Sequence, residues 1–217
     1  MQRVAIIDYG MGNLRSVEKA LAFVAGARFE IVLTEDPAVV AEAERVVFPG
    51  QGRFGDALAR IRTLGLQGCI GEAIGSRPFL GICVGMQALM GASTEDPDVP
   101  GLGIFAGTCE RFPEGARDPH TGERLKIPHM GWNEVRIERP HPLWRGIADG
   151  TRFYFVHSYH VAPTAPGVIA ASCEYGTRFV CGLAEGSFFG VQFHPEKSQH
   201  PGLTLLGNFL DWNGAPG

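Results

Sequence analysis

The sequence contains no apolar stretch of the roughly twenty residues that a membrane-spanning helix needs. It also has no positively charged segment followed by a long apolar run and a small-residue cleavage site, the features that mark a secretory leader. The first apolar run, residues 3–7, ends at once in Asp8. These absences predict a cytoplasmic protein that does not associate with a membrane.

A surplus of positive charge is missing as well. Nineteen Lys and Arg residues stand against 23 Asp and Glu residues, which gives the chain a formal net charge of -4. A protein that binds the phosphate backbone of a nucleic acid needs basic residues to displace counterions. We therefore expect no nucleic-acid partner.

The cysteines do not form a recognisable disulfide or zinc pattern. Their number is odd, no two are spaced as CxxC, and a chain of 217 residues can bury a core without disulfides. We interpret them as free thiols of a protein from a reducing compartment. They are Cys69, Cys83, Cys109, Cys173 and Cys181.

The two halves of the chain differ in pattern. The first half alternates short apolar runs with amphipathic stretches, which predicts a mostly parallel central sheet flanked by helices. The second half has short β-branched or aromatic segments between turn residues, which predicts antiparallel hairpins added to the sheet edge. No repeat, low-complexity tract or linker divides the chain. We therefore interpret residues 1–217 as one three-layer α/β domain.

The expected elements follow from these patterns. We expect strands over residues 3–8, 29–33, 46–48, 78–83, 103–112, 132–137, 152–159, 168–175, 179–184 and 188–193. We expect helices over residues 14–25, 37–43 and 54–63, near residue 69, from residue 83 through residue 90, and from about residue 202 to residue 210.

The segment Gly81-Ile82-Cys83-Val84-Gly85 places a cysteine where an apolar strand meets a helix. A nucleophile on such a sharp turn needs small residues two positions before and after it, because the backbone there is crowded. The helix N-terminus would favour the thiolate, and the Val84 N–H would serve as an oxyanion donor. Most free cysteines are small buried hydrophobes, and we interpret the other four that way. For Cys83 the glycine frame favours a nucleophile.

A cysteine nucleophile needs a base, and His194 is the best candidate among the seven histidines. Residues two apart on an extended chain point to the same side, so Glu196 can accept the ring N–H of His194 and stabilise the imidazolium. A His-Pro-Glu triplet alone would be interpreted as a surface turn. With Cys83 it completes a nucleophile, a base and an orienting carboxylate.

Three weaker patterns occur elsewhere in the sequence. The Pro49-Gly50-Gln51-Gly52 turn can direct a second backbone amide toward an oxyanion. The glycines around residues 10–12 lack the third glycine and the acidic partner of a dinucleotide loop, so nucleotide binding is rejected. His157 and His160 could be drawn as zinc ligands, but their spacing in one strand would put the rings on opposite faces, and a structural role is favoured.

These residues resemble the class I (triad) glutamine amidotransferases. GICVGMQ (81–87) with HPE (194–196) indicates that superfamily. Within it, further segments resemble the glutaminase subunits of imidazole glycerol phosphate synthases, and the resemblance runs nearly end to end. These segments are IDYGMGNL (7–14), FPGQG (48–52), PHMGWN (128–133), YFVHSY (154–159) and VQFHPEKS (191–198).

The resemblance implies a specific activity. The chain would hydrolyse L-glutamine to glutamate and ammonia through a thioester on Cys83. The ammonia would pass to a separate cyclase subunit, a (β/α)8 barrel bound as a heterodimer, which makes imidazole glycerol phosphate and AICAR in histidine biosynthesis. No cofactor and no metal are expected.

The resemblance also implies roles for individual residues. The oxyanion hole would comprise Val84, Gln51 and Gly52. The substrate glutamine would be held by Gly50, Gln87, Glu95, Ser158 and Tyr159. The residues toward the cyclase would be Asn13, Trp132, Tyr154 and Lys197.

One position departs from the family pattern, in which the residue between the two loop glycines is often valine and is Gln51 here. We expect the loop still to rotate its amide, because that motion uses the backbone and Gly50 and Gly52 remain. A Gly50→Pro substitution is then expected to abolish turnover while folding stays largely intact.

Other interpretations remain open from the sequence. The chain could be a glutaminase for anthranilate or purine synthesis, which the DYGMGN and PHMGWN segments disfavour. It could be a catalytically silent module that regulates a cyclase, against which Cys83, His194 and Glu196 argue. It could also be a cysteine peptidase, in which case free glutamine would not protect Cys83 from alkylation.

Overall fold

A computed structural model describes residues 2–118 and 121–215. The strands are β1 (Gln2–Ile7), β2 (Phe29–Thr34), β3 (Arg45–Gly50), β4 (Phe79–Cys83), β5 (Met90–Ser93), β6 (Phe105–Arg111), β7 (His129–Glu134), β8 (Arg136–Ile137), β9 (Arg152–His157), β10 (Tyr159–Pro163), β11 (Ile169–Glu174), β12 (Arg178–Glu185) and β13 (Phe188–Val191). The helices are α1 (Leu14–Ala25), α2 (Pro37–Glu42), α3 (Phe54–Thr63), α4 (Gln67–Ser76), α5 (Val84–Gln87) and α6 (Gln199–Asp211). Short 3-10 turns lie at Pro142–Trp144, Pro166–Val168 and Pro195–Lys197.

An eleven-stranded sheet runs through both halves of the chain. Its main path has the order β2-β1-β3-β4-β13-β12-β10-β6-β5, with β11 and β8 attached beside β12. The strands from β2 to β13 along this path are parallel, and β12, β10 and β6 continue it with antiparallel pairs. The expected parallel centre with antiparallel additions is therefore confirmed.

The helices form layers on the two faces of the sheet. The crossover from β1 through α1 to β2 runs in one direction along the sheet, and the crossovers through α2 and α4 run in the other. Since parallel crossovers are right-handed, α1 lies on one face and α2 and α4 on the opposite one. Helix α6 packs against α1, and α2 packs against α4. The described residues include no helix that is both long and apolar enough to cross a bilayer.

Local sequence explains why these helices begin and end where they do. Helix α1 buries Leu14, Val17, Leu21 and Ala25 on one face and ends at Gly26, whose φ of 55° suits glycine. Helix α2 begins after an Asp36 side chain that accepts a hydrogen bond from the Ala38 N–H at 2.9 Å.

The helix expected after Cys83 is much shorter than predicted. Helix α5 ends at Gln87, and the chain enters β5 at Met90. The backbone carbonyls of Ala88 and Leu89 accept hydrogen bonds from Leu102 and Phe105, at 2.9 and 3.0 Å. These long-range bonds replace helical ones, and the apolar residues there are buried in either arrangement.

Two expected strands in the second half are each divided in the structure. The segment 152–159 breaks at Ser158, so β9 and β10 belong to different sheets. The segment 132–137 divides into β7 and β8. Strands β7 and β9 form a separate antiparallel pair in which Trp132 lies opposite Tyr154. The expectation that every hairpin extends the main sheet was therefore wrong for this pair.

A substitution at Gly85 tests how closely α5 packs against β3. A Cβ on Gly85 would lie 1.8 Å from the Phe48 carbonyl oxygen, so Gly85→Ala must push α5 away from β3. We expect this substitution to lower the free energy of unfolding by about 3 kcal/mol, the upper range for overpacking. Chemical denaturation followed by circular dichroism measures it.

The matched control is Gly75→Ala in α4, where a Cβ would meet nothing within 4 Å. Alanine has the higher helix propensity, so this variant should gain about 0.5–1 kcal/mol. Equal stability of the two alanine variants would contradict the packing described for α5.

Candidate active site

Cys83 lies on a strained turn at the end of β4. Its φ of 53° is positive, which is uncommon for a residue with a side chain. The flanking glycines are required by space: a Cβ on Gly81 would lie 3.2 Å from the Met86 Cα, and one on Gly85 would meet the Phe48 carbonyl. The predicted small-residue frame around Cys83 is confirmed in its geometry, and Cys83 as a whole is 4% exposed.

The predicted contribution of a helix dipole to Cys83 is weaker than expected. Helix α5 has only four residues, Val84–Gln87, and a macrodipole needs several aligned turns. Positive charge near the sulfur must therefore come mainly from a side chain.

His194 supplies that side chain and is paired with Glu196. The distance between His194 Nδ1 and Glu196 Oε1 is 2.9 Å, and each side chain is only 2% exposed. The pairing was predicted, but its cause differs: Pro195–Lys197 form a 3-10 turn, so Glu196 is not on an extended segment. The His194 backbone is fixed by its N–H bond to the Tyr154 carbonyl, at 2.9 Å, and by the Ser198 hydroxyl, which donates to its carbonyl at 2.7 Å.

The second ring nitrogen of His194 is not used by Glu196, and the ring interacts with Cys83. Nε2 is buried and has no close hydrogen-bond partner within residues 2–118 and 121–215, yet it lies near enough to Cys83 for the two charges to interact. Burial alone would lower the pKa of His194, but a Cys83 thiolate and the Glu196 carboxylate together raise it above its ordinary value. The arrangement therefore favours an imidazolium at His194 beside the Cys83 sulfur.

Gln192 contacts the nucleophile and was missed by the sequence analysis. Its Nε2 donates to the Cys83 Sγ at 3.5 Å, and its Oε1 accepts from Gln87 Nε2 at 3.1 Å. Gln87 Nε2 also donates to the Tyr159 carbonyl at 2.8 Å. Gln192 lies two residues before His194, directly after β13 ends at Val191.

A cleft of about 370 Å³ opens beside Cys83. It brings together most residues that the resemblance assigned to the oxyanion hole and the substrate: Gln51, Gly52, Val84, Gln87, Glu95, Ser158 and Tyr159. Four further lining residues were not predicted there: Pro128, Val156, His157 and Lys197. Lys197, which was expected to face a partner, therefore also borders the cleft.

Gly50 does not line the cleft but packs against the turn that carries Cys83. A Cβ on Gly50 would lie 2.2 Å from the Tyr9 hydroxyl oxygen and 2.8 Å from the Gly85 backbone nitrogen. Any side chain would therefore collide with the turn that carries Cys83. The expectation that Gly50→Pro leaves folding intact was wrong, and loss of activity in that variant would not isolate the loop.

Glu95 joins the cleft to the start of α3. Its Oε2 accepts from the Phe54 N–H at 2.8 Å, and the neighbouring Asp96 accepts from the Gly55 N–H at 2.8 Å and pairs with Arg53. The favourable helix N-terminus holds both carboxylates in place. An anionic carboxylate at the cleft can receive a substrate ammonium group.

The residues expected to face a partner are at least partly exposed. The rings of Trp132 and Tyr154 meet edge to face at 6.1 Å, and Trp132 is 44% exposed. Asn13 is exposed just before α1. Met130, two residues before Trp132 on the same face of β7, is 62% exposed and was not singled out from the sequence.

The reason given for rejecting a zinc site at His157 and His160 was wrong. The two histidines lie on different strands, and both rings pack against Phe112, at 5.2 and 4.9 Å. Within residues 2–118 and 121–215 no group of three or more potential metal ligands occurs. His120 lies outside the described residues.

The sequence is similar to a known protein family and to named members of it. Residues 5–212 match the family model for glutamine amidotransferase class-I. The chain is 56% identical over 211 residues to the imidazole glycerol phosphate synthase subunit HisH of Dechloromonas aromatica, covering 97% of each chain. It is 55% identical to the subunit of the same name from Thiobacillus denitrificans, covering 97% of this chain and 91% of that one.

Solved structures are similar in fold. A glutamine amidotransferase crystal structure superposes with a TM-score of 0.71 at 18% identity, covering 96% of this chain and 97% of that one. A glutamine amidotransferase from Thermotoga maritima gives a TM-score of 0.57 at 18% identity, covering 97% and 83%.

The lowered pKa values of three buried histidines predict how the free energy of unfolding depends on pH. Burial lowers the pKa of His129 and of His141 to about 4 and that of His157 to about 3. The unfolded chain, with histidine pKa values near 6.5, then binds more protons than the folded chain between about pH 4 and 6.5. The stability that these three histidines contribute is therefore full above about pH 6.5 and should fall by several kcal/mol as the pH is lowered to about 4.

Denaturant titrations at steps between pH 7 and 4.5 measure this slope. His129→Phe should make it shallower, because one of the three groups is gone. An unfolding free energy that is constant over this range would show that the histidines are not held neutral.

Proposed function

Because this chain belongs to the class-I glutamine amidotransferase family, we propose that it is the glutaminase subunit of an imidazole glycerol phosphate synthase. It hydrolyses L-glutamine to glutamate and ammonia for histidine biosynthesis. One observation carries the assignment of the site: Cys83 lines a cleft that fits a small substrate, and it interacts with the buried pair of His194 and Glu196.

The chemistry begins at Cys83. Its thiolate attacks the side-chain amide carbon of glutamine, and the carbonyl oxygen becomes an oxyanion. When the tetrahedral intermediate collapses, the C–N bond breaks, His194 gives its Nε2 proton to the departing nitrogen, and ammonia leaves a thioester on Cys83. His194 then takes a proton from water, the hydroxide attacks the thioester, and glutamate leaves as the thiolate re-forms.

The remaining cleft residues bind and orient the substrate. The Val84 N–H and an N–H from the Gln51–Gly52 loop stabilise the oxyanion. Gln87 and the backbone at Ser158 and Tyr159 hold the glutamine side chain. Glu95, fixed by α3, receives the α-ammonium group.

Ammonia is consumed by a second subunit. We assign that partner as the cyclase, of (β/α)8-barrel type, docked as a heterodimer in the cytoplasm. Asn13, Trp132, Tyr154 and Lys197 form its binding surface, together with Met130. Support for this surface comes from the exposed apolar side chains of β7 and from the position of Lys197 between the cleft and the exterior.

The alternatives fit the site less well. A silent regulatory module has no need for a strained cysteine with an imidazole that is held beside it by a carboxylate buried to 98%. A peptidase needs a groove for an extended chain, whereas this cleft of about 370 Å³ suits one amino acid.

The test is glutamate release from glutamine by the purified chain, alone and with the cyclase subunit and its ribonucleotide ligand. Cys83→Ala should lower the rate in the complex by at least about a thousandfold, because the nucleophile is removed. The matched control is Cys69→Ser, a half-buried thiol in α4 away from the cleft, which should keep the wild-type rate.

Two results would contradict the proposal. One is glutamate release that survives in Cys83→Ala. The other is an absence of release by the wild-type complex under any condition, which would favour the regulatory module. Protection of Cys83 from iodoacetamide by glutamine, but not by peptides, would separate the glutaminase from a peptidase.

A further inference from the structure

A continuous series of hydrogen bonds leads from β7 to the cleft. Asn133 Nδ2 lies 3.3 Å from His129 Nε2, and His129 Nδ1 lies 3.0 Å from His157 Nε2. His157 Nδ1 in turn lies 2.8 Å from the carbonyl oxygen of Tyr159. We call Asn133, His129 and His157 the histidine series.

The groups at the two ends of the histidine series determine which ring nitrogen carries each proton. The Tyr159 carbonyl can only accept, so His157 carries its proton on Nδ1. Its Nε2 is then an acceptor, so His129 must donate from Nδ1. That leaves His129 Nε2 as an acceptor, and it receives a proton from the Asn133 amide.

The orientation of Asn133 is itself determined by the backbone. Its Oδ1 accepts from the Glu134 N–H at 2.8 Å, and its Nδ2 also donates to the Glu174 carbonyl at 2.8 Å. The amide therefore presents its NH2 group to His129 and cannot be reversed without losing both bonds.

Both histidines are uncharged in the folded protein. Burial lowers the pKa of His129 to about 4 and that of His157 to about 3. His129 also stacks between Tyr175 and Phe155, at centroid distances of 4.0 and 4.8 Å, so its ring plane is held by packing. A neutral ring has one donor and one acceptor, as the series requires.

The far end of the series reaches the nucleophile. The Tyr159 carbonyl that accepts from His157 also accepts from Gln87 Nε2 at 2.8 Å. Gln87 Nε2 bonds Gln192 Oε1 at 3.1 Å, and Gln192 Nε2 donates to the Cys83 Sγ at 3.5 Å. The position of the Tyr159 carbonyl thus affects the positions of Gln87 and Gln192, the two side chains that lead to the Cys83 sulfur.

We propose that His129 and Asn133 are positioning residues for glutamine hydrolysis: their ordered hydrogen bonds hold His157 as the Nδ1–H tautomer, which fixes the Tyr159 carbonyl and, through it, Gln87 and Gln192 beside Cys83. This role rests on the proposed function. Neither residue touches the cleft, and both lie on the strand that exposes Met130 and Trp132. A protein docked on those side chains contacts the strand in which the series begins.

The first experiment determines which ring nitrogen of His129 and of His157 carries the proton. In the folded chain labelled with ¹⁵N-histidine, long-range ¹H–¹⁵N correlation at pH 7 should show His129 and His157 as neutral Nδ1–H tautomers. An Nε2–H tautomer or an imidazolium at either position would overturn the proposal. Because this measurement needs no turnover, it also separates failure of the series from failure of the proposed function.

The second experiment measures turnover in the complex with the cyclase subunit. His129→Phe keeps an aromatic ring between Tyr175 and Phe155 but removes the donor to His157. We expect kcat/KM for glutamine to fall about 10- to 100-fold, the effect of small misplacements near reacting groups. The matched control is His160→Phe. His160 packs on the same Phe112 and Phe179, but within the described part of the chain its ring bonds only the Val161 carbonyl, at 3.4 Å. It should change kcat/KM less than about twofold.

Asn133→Asp distinguishes proton order from packing. The carboxylate has the shape of the amide but can only accept, so His129 must acquire an Nε2 proton. We expect a new Nε2–H signal from His129 and a fall in kcat/KM like that of His129→Phe. Wild-type activity in Asn133→Asp, or equal losses in His129→Phe and His160→Phe, would overturn the proposal. If the variants fail to fold, the wild-type tautomers still decide whether the series exists as assigned.

Discussion

The close approach of Gly85 to the Phe48 carbonyl is the constraint on which the rest of the site depends. It leaves the first turn of α5 packed directly on β3, and Cys83, which leads from β4 into that turn, takes a positive φ. Such a backbone costs about 1–3 kcal/mol and persists only where its surroundings enforce it. Here the enforcement comes from the parallel pairing of β4 with β3 and β13, whose residues are almost wholly buried.

Burial at this turn has two opposite effects on charge. It disfavours an isolated imidazolium, yet it strengthens the attraction between that imidazolium and the groups on either side of it. Glu196 holds one ring nitrogen and Cys83 lies at the other, so the pKa of His194 rises although the ring is 98% buried. Among residues 2–118 and 121–215, no carboxylate or thiolate is paired with the histidines of β7 and β9, and burial keeps these rings neutral. Similar burial therefore gives a charged base in one place and neutral hydrogen-bonding rings in another.

The sequence predicted features that arise within a few residues of each other. The glycine frame of Cys83, the pairing of His194 with Glu196 and the helix cap at Gly26 are local, and all agree with the structure. Features that depend on distant segments were missed or wrong. Helix α5 is short because the loop after Val99 bonds to Ala88 and Leu89, and Gly50 has no space because Tyr9 lies beneath it. No local pattern reports either contact.

The histidine series shows why neutral polar groups suit the connection between a surface strand and a buried site. A charged link would require desolvation of an ion at each step, which costs several kcal/mol unless every charge is paired. Neutral rings with one donor and one acceptor avoid that cost. The hydrogen bonds along the series still all run in one direction, because reversing the donor and acceptor in one bond requires reversing them in every bond. A displacement of β7 relative to β9 would first lengthen the bond between His129 and His157, and the next fixed point is the Tyr159 carbonyl beside Gln87. Burial keeps these histidines uncharged. A change in β7 would therefore affect the side chains beside Cys83 through the positions of the hydrogen-bonded groups and not through a change in charge.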